Sequence, residues 1–264
     1  MAESTCRLSN DQLVNLVVNG DVATLSQALR DGADPNAADN QLITLLMYAA
    51  LTGNLEVGRL LLDTGRCDVG RVNSSGWNAL HCAAMEGHVY MIKLLLDAGL
   101  DVNSRTFYDD TPLLTAVSRG HLDAVKALIA AGADVGVQNI SGATALGHAT
   151  DCGFCNIIAA LLDAPAGLDV NTSDVSSGCT ALIAAAQCVH PAAVELLLSR
   201  GADPNIPDVC GFTALYWAMR SKEPEAQLVI EALKRAGGRG APPEGVLLKV
   251  LADEQRNMDF KVGA

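Results

Sequence analysis

The residues of this chain best suited to chemistry are five histidines (His81, His88, His121, His148 and His190) and a late group of cysteines, Cys152, Cys155, Cys179, Cys188 and Cys210. The Cys152-x-x-Cys155 spacing suits zinc ligation or thiol–disulfide exchange. A thiol beside a base suits nucleophilic catalysis, and Asp151, Cys152, Cys188 and Arg119 are the residues from which such a site would be assembled. Each pattern is incomplete. No second cysteine pair stands near the first, and the sequence holds no nucleophile elbow, phosphate-cradling glycine loop or paired-carboxylate site. The residues therefore assign no catalytic group, no metal and no cofactor.

The elements that must carry these residues repeat. Thr44-Leu45-Leu46-Met47-Tyr48-Ala49, Asn78-Ala79-Leu80-His81-Cys82-Ala83 and Thr111-Pro112-Leu113-Leu114-Thr115-Ala116 share one layout. Thr144 to Ala149, Thr180 to Ala185 and Thr213 to Ala218 share it too. Their central leucines, 46, 80, 113, 146, 182 and 215, are spaced by 34, 33, 33, 36 and 33 residues. Seven residues past the leucine stands Gly53, Gly87, Gly120 or Gly153, followed by a polar starter and an apolar run such as Met91 to Leu96. Each unit closes on a Gly-Ala-Asp-x-Asn string or a relative of it, as in Gly32 to Asn36, Gly99 to Asn103, Gly132 to Gly136 and Gly201 to Asn205. A fixed period of this length is the signature of a stacked array.

Each feature has a physical reading. Thr or Asn78 caps a first short helix, and a proline such as Pro112 suits the first helical position. The mid-unit glycine ends that helix in a left-handed residue, a second antiparallel helix follows, and Asp-x-Asn begins the turn to the next unit. Two helices of this length cannot bury their own apolar faces, so the units must stack. His88, His121 and His190 then fall where a second helix starts and a ring can cap a helix end. His148 falls on an inward stripe, as do Cys82 and Trp217. Cys152, Cys179, Cys188 and Cys210 share one side of successive units; equivalent positions there lie roughly 8–10 Å apart, too far for an unstrained disulfide, and the thiols read as small fillers.

These strings strongly resemble the ankyrin repeat family, whose signature runs Thr-Pro-Leu-His-x-Ala-Ala-x-x-Gly-His with a closing Gly-Ala-Asp-Val-Asn. The departures are that Thr-Pro occurs only at Thr111-Pro112 and the signature histidine only at His81. The resemblance implies an all-α solenoid of stacked antiparallel helix pairs with β-turn or hairpin tips, curved, with capping repeats at both ends. It covers residues 10–236 as about seven repeats: 10–38, 39–72, 73–105, 106–138, 139–173, 174–207 and 208–236. Residues 1–9 precede it as an extension; 237–243 read as a linker, and 244–264 as a C-terminal helix, cap or tail.

The resemblance also implies where a partner binds, since ankyrin proteins use their turn tips and the exposed, concave face of each first helix. Carried over by position, the partner-binding residues are Ile43, Leu51, Trp77, Met85, Glu86, Phe107, Tyr108, Asp110, Arg119, Cys152, Gln187, Phe212 and Arg220. Only ten residues are aromatic, yet Trp77, Phe107, Tyr108 and Phe212 fall at expected tip positions. Aromatic and arginine side chains are typical interface anchors. Asp101-Val102-Asn103, with Leu95 eight residues before the asparagine, is similar to the asparagine-hydroxylation sites of many ankyrin proteins, which marks Asn103.

Charge and composition narrow the partner. The net charge is −12 and no basic run relieves it, so the chain repels a phosphate backbone. No apolar segment has membrane-spanning length, the first ten residues carry no secretory pattern, and eight cysteines without a framework fit a reducing cytosol or nucleus. The sequence thus predicts an adaptor, scaffold or inhibitor in signalling, monomeric alone, that binds one or more proteins and neither nucleic acid nor membrane. An enzyme or enzyme regulatory subunit, and a pathogen effector acting in a host cell, are the alternatives.

Overall fold

The computed structural model describes residues 8–165 and 167–240. Among these residues lie fourteen helices and no named strand; backbone pairing of the β type is limited to the isolated bridges Ala38–Thr44, Gln138–Thr144 and Ser173–Thr180, each closing a turn tip. The chain divides into two compact units, one ending at Ala145 and the other beginning at Leu146. The first holds four helix pairs: α1 (Asn10–Asn19) with α2 (Val22–Arg30), α3 (Leu45–Thr52) with α4 (Leu55–Asp63), α5 (Ala79–Met85) with α6 (Val89–Asp97), and α7 (Pro112–Ser118) with α8 (Leu122–Ala130). At the division begins α9 (Ala145–Asp151), followed in the second unit by α10 (Cys155–Leu162), α11 (Ala181–Gln187), α12 (Pro191–Ser199), α13 (Ala214–Arg220) and α14 (Ala226–Arg235).

Within the first unit α1, α3, α5 and α7 pack in series, and so do α2, α4, α6 and α8; in the second, α11 packs on α13, and α12 on both α10 and α14. The all-α stack of helix pairs expected from the repeat is the observed fold of each unit. The first helices supply the centre. In α5 every residue from Ala79 to Ala84 is buried, and in α11 every residue from Ala181 to Ala186. Second helices bury one face only: Met91, Ile92 and Leu95 in α6, and Ala124, Val125 and Leu128 in α8. Each fully buried Leu contributes about 2 kcal/mol by leaving water. The expected caps form, with the hydroxyls of Thr44, Thr111, Thr180 and Thr213 and the Asn78 amide oxygen accepting backbone N–H bonds from the first turn.

Two sets of polar bonds join one pair to the next. The first is made by histidines, and it corrects the expectation that they cap their own helices. His88, His121 and His190 make no such cap. Each Nε2 bonds to the last turn of the preceding pair's first helix, at the carbonyls of Leu51 (3.1 Å), Met85 (2.9 Å) and Asp151 (3.0 Å). The rings stand close against Gly53, Gly87 and Gly153 of that neighbour. A Cβ on Gly87, whose φ is +71°, would sit 2.7 Å from the His121 ring, so this glycine answers both a left-handed turn and a close approach.

The second set lies at the outer turns. Asn36 Oδ1 accepts from Asp68 N at 2.7 Å, Asn103 from Asp134 N at 2.8 Å, Asn171 from Asp203 N at 2.8 Å and Asn205 from Arg239 N at 3.0 Å. The last bond concerns the segment read as a linker. Gly237 to Gly240 is tied down, because Asn205 Nδ2 also donates to Gly237 O (3.3 Å) and Thr213 Oγ1 to Arg239 O (2.5 Å). Residues 241–243 and the helix expected over 244–264 lie outside the described residues.

Gly70 occupies the place of Asn36 and Asn103 but has no side chain to reach Asp101 N. Its own N–H already bonds to Asp68 Oδ1 as Asn103 N bonds to Asp101 Oδ1, and a Cβ there meets nothing closer than 3.7 Å. Gly70→Asn is therefore expected to add one bond between pairs and to raise unfolding stability by about 1 kcal/mol, read as a higher midpoint in urea melts.

Candidate interaction surface

The tips are built on one recurring device. A side-chain acceptor at the head of each turn takes two backbone N–H bonds from the residues that follow. Asp39 takes those of Gln41 and Ile43, Asn73 those of Ser75 and Trp77, Thr106 those of Tyr108 and Asp110, and Asn139 those of Ser141 and Ala143. In the second unit Asp174 and Asp208 do the same. Neighbouring tips are then joined through the backbone: Ser74 N donates to Gln41 O (3.1 Å), Phe107 N to Ser75 O (3.2 Å), Ile140 N to Tyr108 O (3.1 Å) and Val209 N to Ser177 O (3.0 Å). Successive tips therefore stand side by side.

The predicted residues separate on this frame. In the first unit Phe107 and Tyr108 are 67% and 57% exposed, Ile43, Leu51, Trp77, Met85 and Asp110 are half-buried, and Glu86 and Arg119 are exposed. Leu51 and Met85 are the residues whose carbonyls the histidines hold, so their positions are fixed by the stack. Phe107 leans on the neighbouring tip, its ring against Gly76. The Asp110 carboxylate accepts from Asn139 Nδ2 at 2.9 Å. In the second unit Cys152, Gln187 and Arg220 are exposed, and the Arg220 guanidinium lies 5.7 Å from the centre of the Tyr216 ring.

Phe212 is a correction. Expected at an exposed tip, it is 7% exposed, stacked on Tyr216 (4.1 Å, 11°) and edge-on to Trp217 (5.8 Å). The residue just before the cap leans inward under the tip, and an aromatic ring there is absorbed by its neighbours. Trp217, expected in the core, is instead half-buried, with Nε1 donating to Asp208 Oδ2 at 2.9 Å; Tyr48, four residues past Thr44 as Trp217 is past Thr213, likewise donates to Asp39 Oδ2 at 2.8 Å. Sequence reasoning also passed over Leu42, which is 50% exposed at a tip. It stands two residues before Thr44, where other units have Gly76, Gly142, Gly178 and Gly211. Asn103, the marked hydroxylation site, is half-buried and spends its Oδ1 on the bond to Asp134.

Electrostatics set the character of the surface. Burial works against the Asp39 carboxylate, but bonds from Ile43, Tyr48 and Gln41 outweigh it and hold the carboxyl below its ordinary range. Burial opposes Asp174 too, and bonds from Ser177, Ser176 and Cys179 hold it near 2. These tips keep their negative charge. The thiols move the other way: burial first, then Asp174, Asp151 and Asp208, push Cys179 up to about 12, and burial with Asp151 raises Cys188. Burial also raises the Asp151 carboxyl, against the pull of His148 and His190. A nucleophilic cysteine needs the opposite shift. The seven described cysteines are free, and no group of His, Cys, Asp or Glu among the described residues is arranged to hold a metal. No helix among them is long and apolar enough to cross a membrane.

Comparison with known proteins agrees with this architecture. The family model described as ankyrin repeats matches three times, at residues 13–106, 105–174 and 166–234. Inversin of Canis lupus familiaris is 34% identical over 236 residues, 87% of this chain and 18% of that protein. The 26S proteasome non-ATPase regulatory subunit 10 of Dictyostelium discoideum is 30% identical over 92 residues, 34% of this chain and 40% of that protein. An L-asparaginase of Dirofilaria immitis is 41% identical, but over 73 residues, 28% of this chain and 12% of that protein. The chain thus spans only a minor part of the length of these curated relatives.

His81 gives the frame a pH dependence. It is fully buried, its neutral ring donating from Nε2 to Asp110 O (3.1 Å) and accepting at Nδ1 from Asn78 N (3.5 Å), and burial pushes its pKa down to about 4. An unfolded histidine titrates near 6.5, so between pH 6.5 and 4 the unfolded chain binds a proton that the native state refuses. Stability is expected to fall as pH drops through this window, and less steeply in His81→Asn, when urea melts of both are compared at pH 7, 5.5 and 4.5.

Proposed function

Because the chain belongs to the ankyrin repeat family, we propose that it is a protein-binding module, an adaptor or inhibitor that holds a partner against its turn tips and the exposed ends of its first helices. Ankyrin repeats are generic protein–protein interaction modules, and the observation that supports this reading here is the exposed pair Phe107–Tyr108 at the tip of the fourth repeat. Large apolar side chains held in water on a fixed frame favour a partner that covers them. In the first unit the surface comprises Ile43, Leu51, Trp77, Met85, Glu86, Phe107, Tyr108, Asp110 and Arg119; in the second, Cys152, Gln187 and Arg220. Phe212 is left out because it is buried. Asn103 is a site of hydroxylation in this reading, and its bond to Asp134 would be the contact affected.

The partner cannot be taken over from the relatives. One is by name a proteasome regulatory subunit, others are called Inversin and Ankyrin repeat and SOCS box protein 3, and the likeness to each covers less than half of its length. The side chains at tips and helix ends choose the partner, and the fold leaves them free. We place the protein in the cytoplasm or nucleus as a monomer, consistent with its free thiols and acidic charge.

Partners captured from lysate under reducing conditions by the wild type are expected to be lost, wholly or by more than tenfold, from the triple variant Trp77→Ala, Phe107→Ala, Tyr108→Ala, with circular dichroism of the variant unchanged. Equal capture by both forms would remove these residues from the surface.

A further inference from the structure

Three residues other than glycine have φ in the left-handed region: Leu42 (+63°), Asp109 (+60°) and Val189 (+53°). A Cβ is crowded there, so each conformation is strained unless something compensates. Two of the three are compensated within the chain. Asp109 is of a residue type that tolerates this region, and it pairs with Arg105 at 3.7 Å. Val189 is 7% exposed, so its side chain gains the burial that a glycine would forgo. Leu42 has neither. It is a γ-branched apolar residue, 50% exposed, in a turn position filled by glycine at residues 76, 142, 178 and 211. For folding alone glycine would serve better on both counts, because it removes the strain and leaves no apolar surface in water.

An unfavourable residue of this kind points to a contact outside the chain. Leu42 also has company on the frame. The backbone bonds between Gln41 and Ser74, Ser75 and Phe107, and Tyr108 and Ile140 set four tips of the first unit in one row. Along that row Leu42, Phe107, Tyr108 and Ile140 are 50%, 67%, 57% and 64% exposed. The row is bordered by carboxylates: Asp39, Asp109 and Asp110 stand in the same turns, and Glu86 at the neighbouring end of α5. The tips offer Arg105, already paired with Asp109, and Arg119 ends α7 as Glu86 ends α5, so these four carboxylates face two cations. Apolar anchors flanked by excess negative charge complement apolar side chains flanked by positive charge.

We propose that Leu42 is an interface anchor, and that the tip row of the first unit docks a partner segment in which apolar side chains alternate with lysine or arginine. This rests on the interaction reading above and narrows it to one row and one partner chemistry. Leu42 acts at one end of the row and Phe107, Tyr108 and Ile140 at the other. The carboxylates speed and orient the encounter, so binding weakens with salt.

The test selects a random twelve-residue peptide library, displayed on phage, against the full chain, then measures the enriched peptides by fluorescence anisotropy. Two variants accompany the wild type: Leu42→Gly, which accepts the turn without strain, and Leu42→Asn, which tolerates the region but removes the apolar group. The expected result is enrichment of peptides combining Leu, Ile or Phe with Lys or Arg. Their affinity should fall at least tenfold in both variants and at 0.5 M salt, while Leu42→Gly raises the melting midpoint by about 2–4 °C. Enrichment of acidic peptides, equal binding by both variants, no enrichment, or a lower midpoint for Leu42→Gly would each overturn the proposal. Equal binding by these variants with loss in the Trp77, Phe107, Tyr108 triple variant would overturn the Leu42 assignment and leave the interaction reading standing.

Discussion

The constraint on which everything else depends is that no helix pair of this chain can bury its own apolar surface. A first helix of seven or eight residues such as α5 is buried on nearly every side, and only its neighbours in the stack can provide that. Each junction must then align polar groups as well as apolar faces, since a desolvated amide without a partner is costly. The chain meets this at three levels: tip backbone to tip backbone, histidine ring to helix end, and asparagine side chain to outer turn. Among the described residues no buried side-chain nitrogen or oxygen is left without a partner.

This division of labour explains why the residues that looked most reactive have quiet roles. His88, His121 and His190 spend a ring nitrogen on a carbonyl next door, and His81 is sealed in the core. Of the cysteines of the second unit, Cys179 and Cys188 are held as thiols by burial first and by nearby carboxylates second.

Much of this was legible in the sequence, and the rest was hidden for physical reasons. Period, caps and helix faces follow from local rules, so Thr111, Leu113 and Leu128 lie where the repeat puts them. The histidines were placed on the right residues but bonded to the wrong helix, because a repeat read along the chain does not reveal which neighbour a ring will reach. Phe212 is buried and Trp217 only half-buried, each against expectation, for a similar reason. Position in the repeat gives both the same weight as other tip or stripe residues, whereas the indole N–H of Trp217 bonds to Asp208 at the tip and the Phe212 ring packs edge-on against it. Leu42 escaped notice because strain is a property of φ, and a leucine in a glycine position is visible only after the units are aligned on the tip instead of on the helix.

The tips also show how stability and recognition are kept apart on one short turn. The frame asks for a generic acceptor at its head, met here by Asp39, Asn73, Thr106, Asn139, Asp174 or Asp208, and for backbone bonds that any residue can make. Nothing in that frame selects between Ser74-Ser75 and Phe107-Tyr108 at the next positions, since both pairs make the same ladder bonds. A serine pair is well hydrated and an aromatic pair is not, so the aromatic choice carries a solvation penalty that the frame does not repay. Where a position is structurally indifferent, a residue that water disfavours reports on what the surface meets.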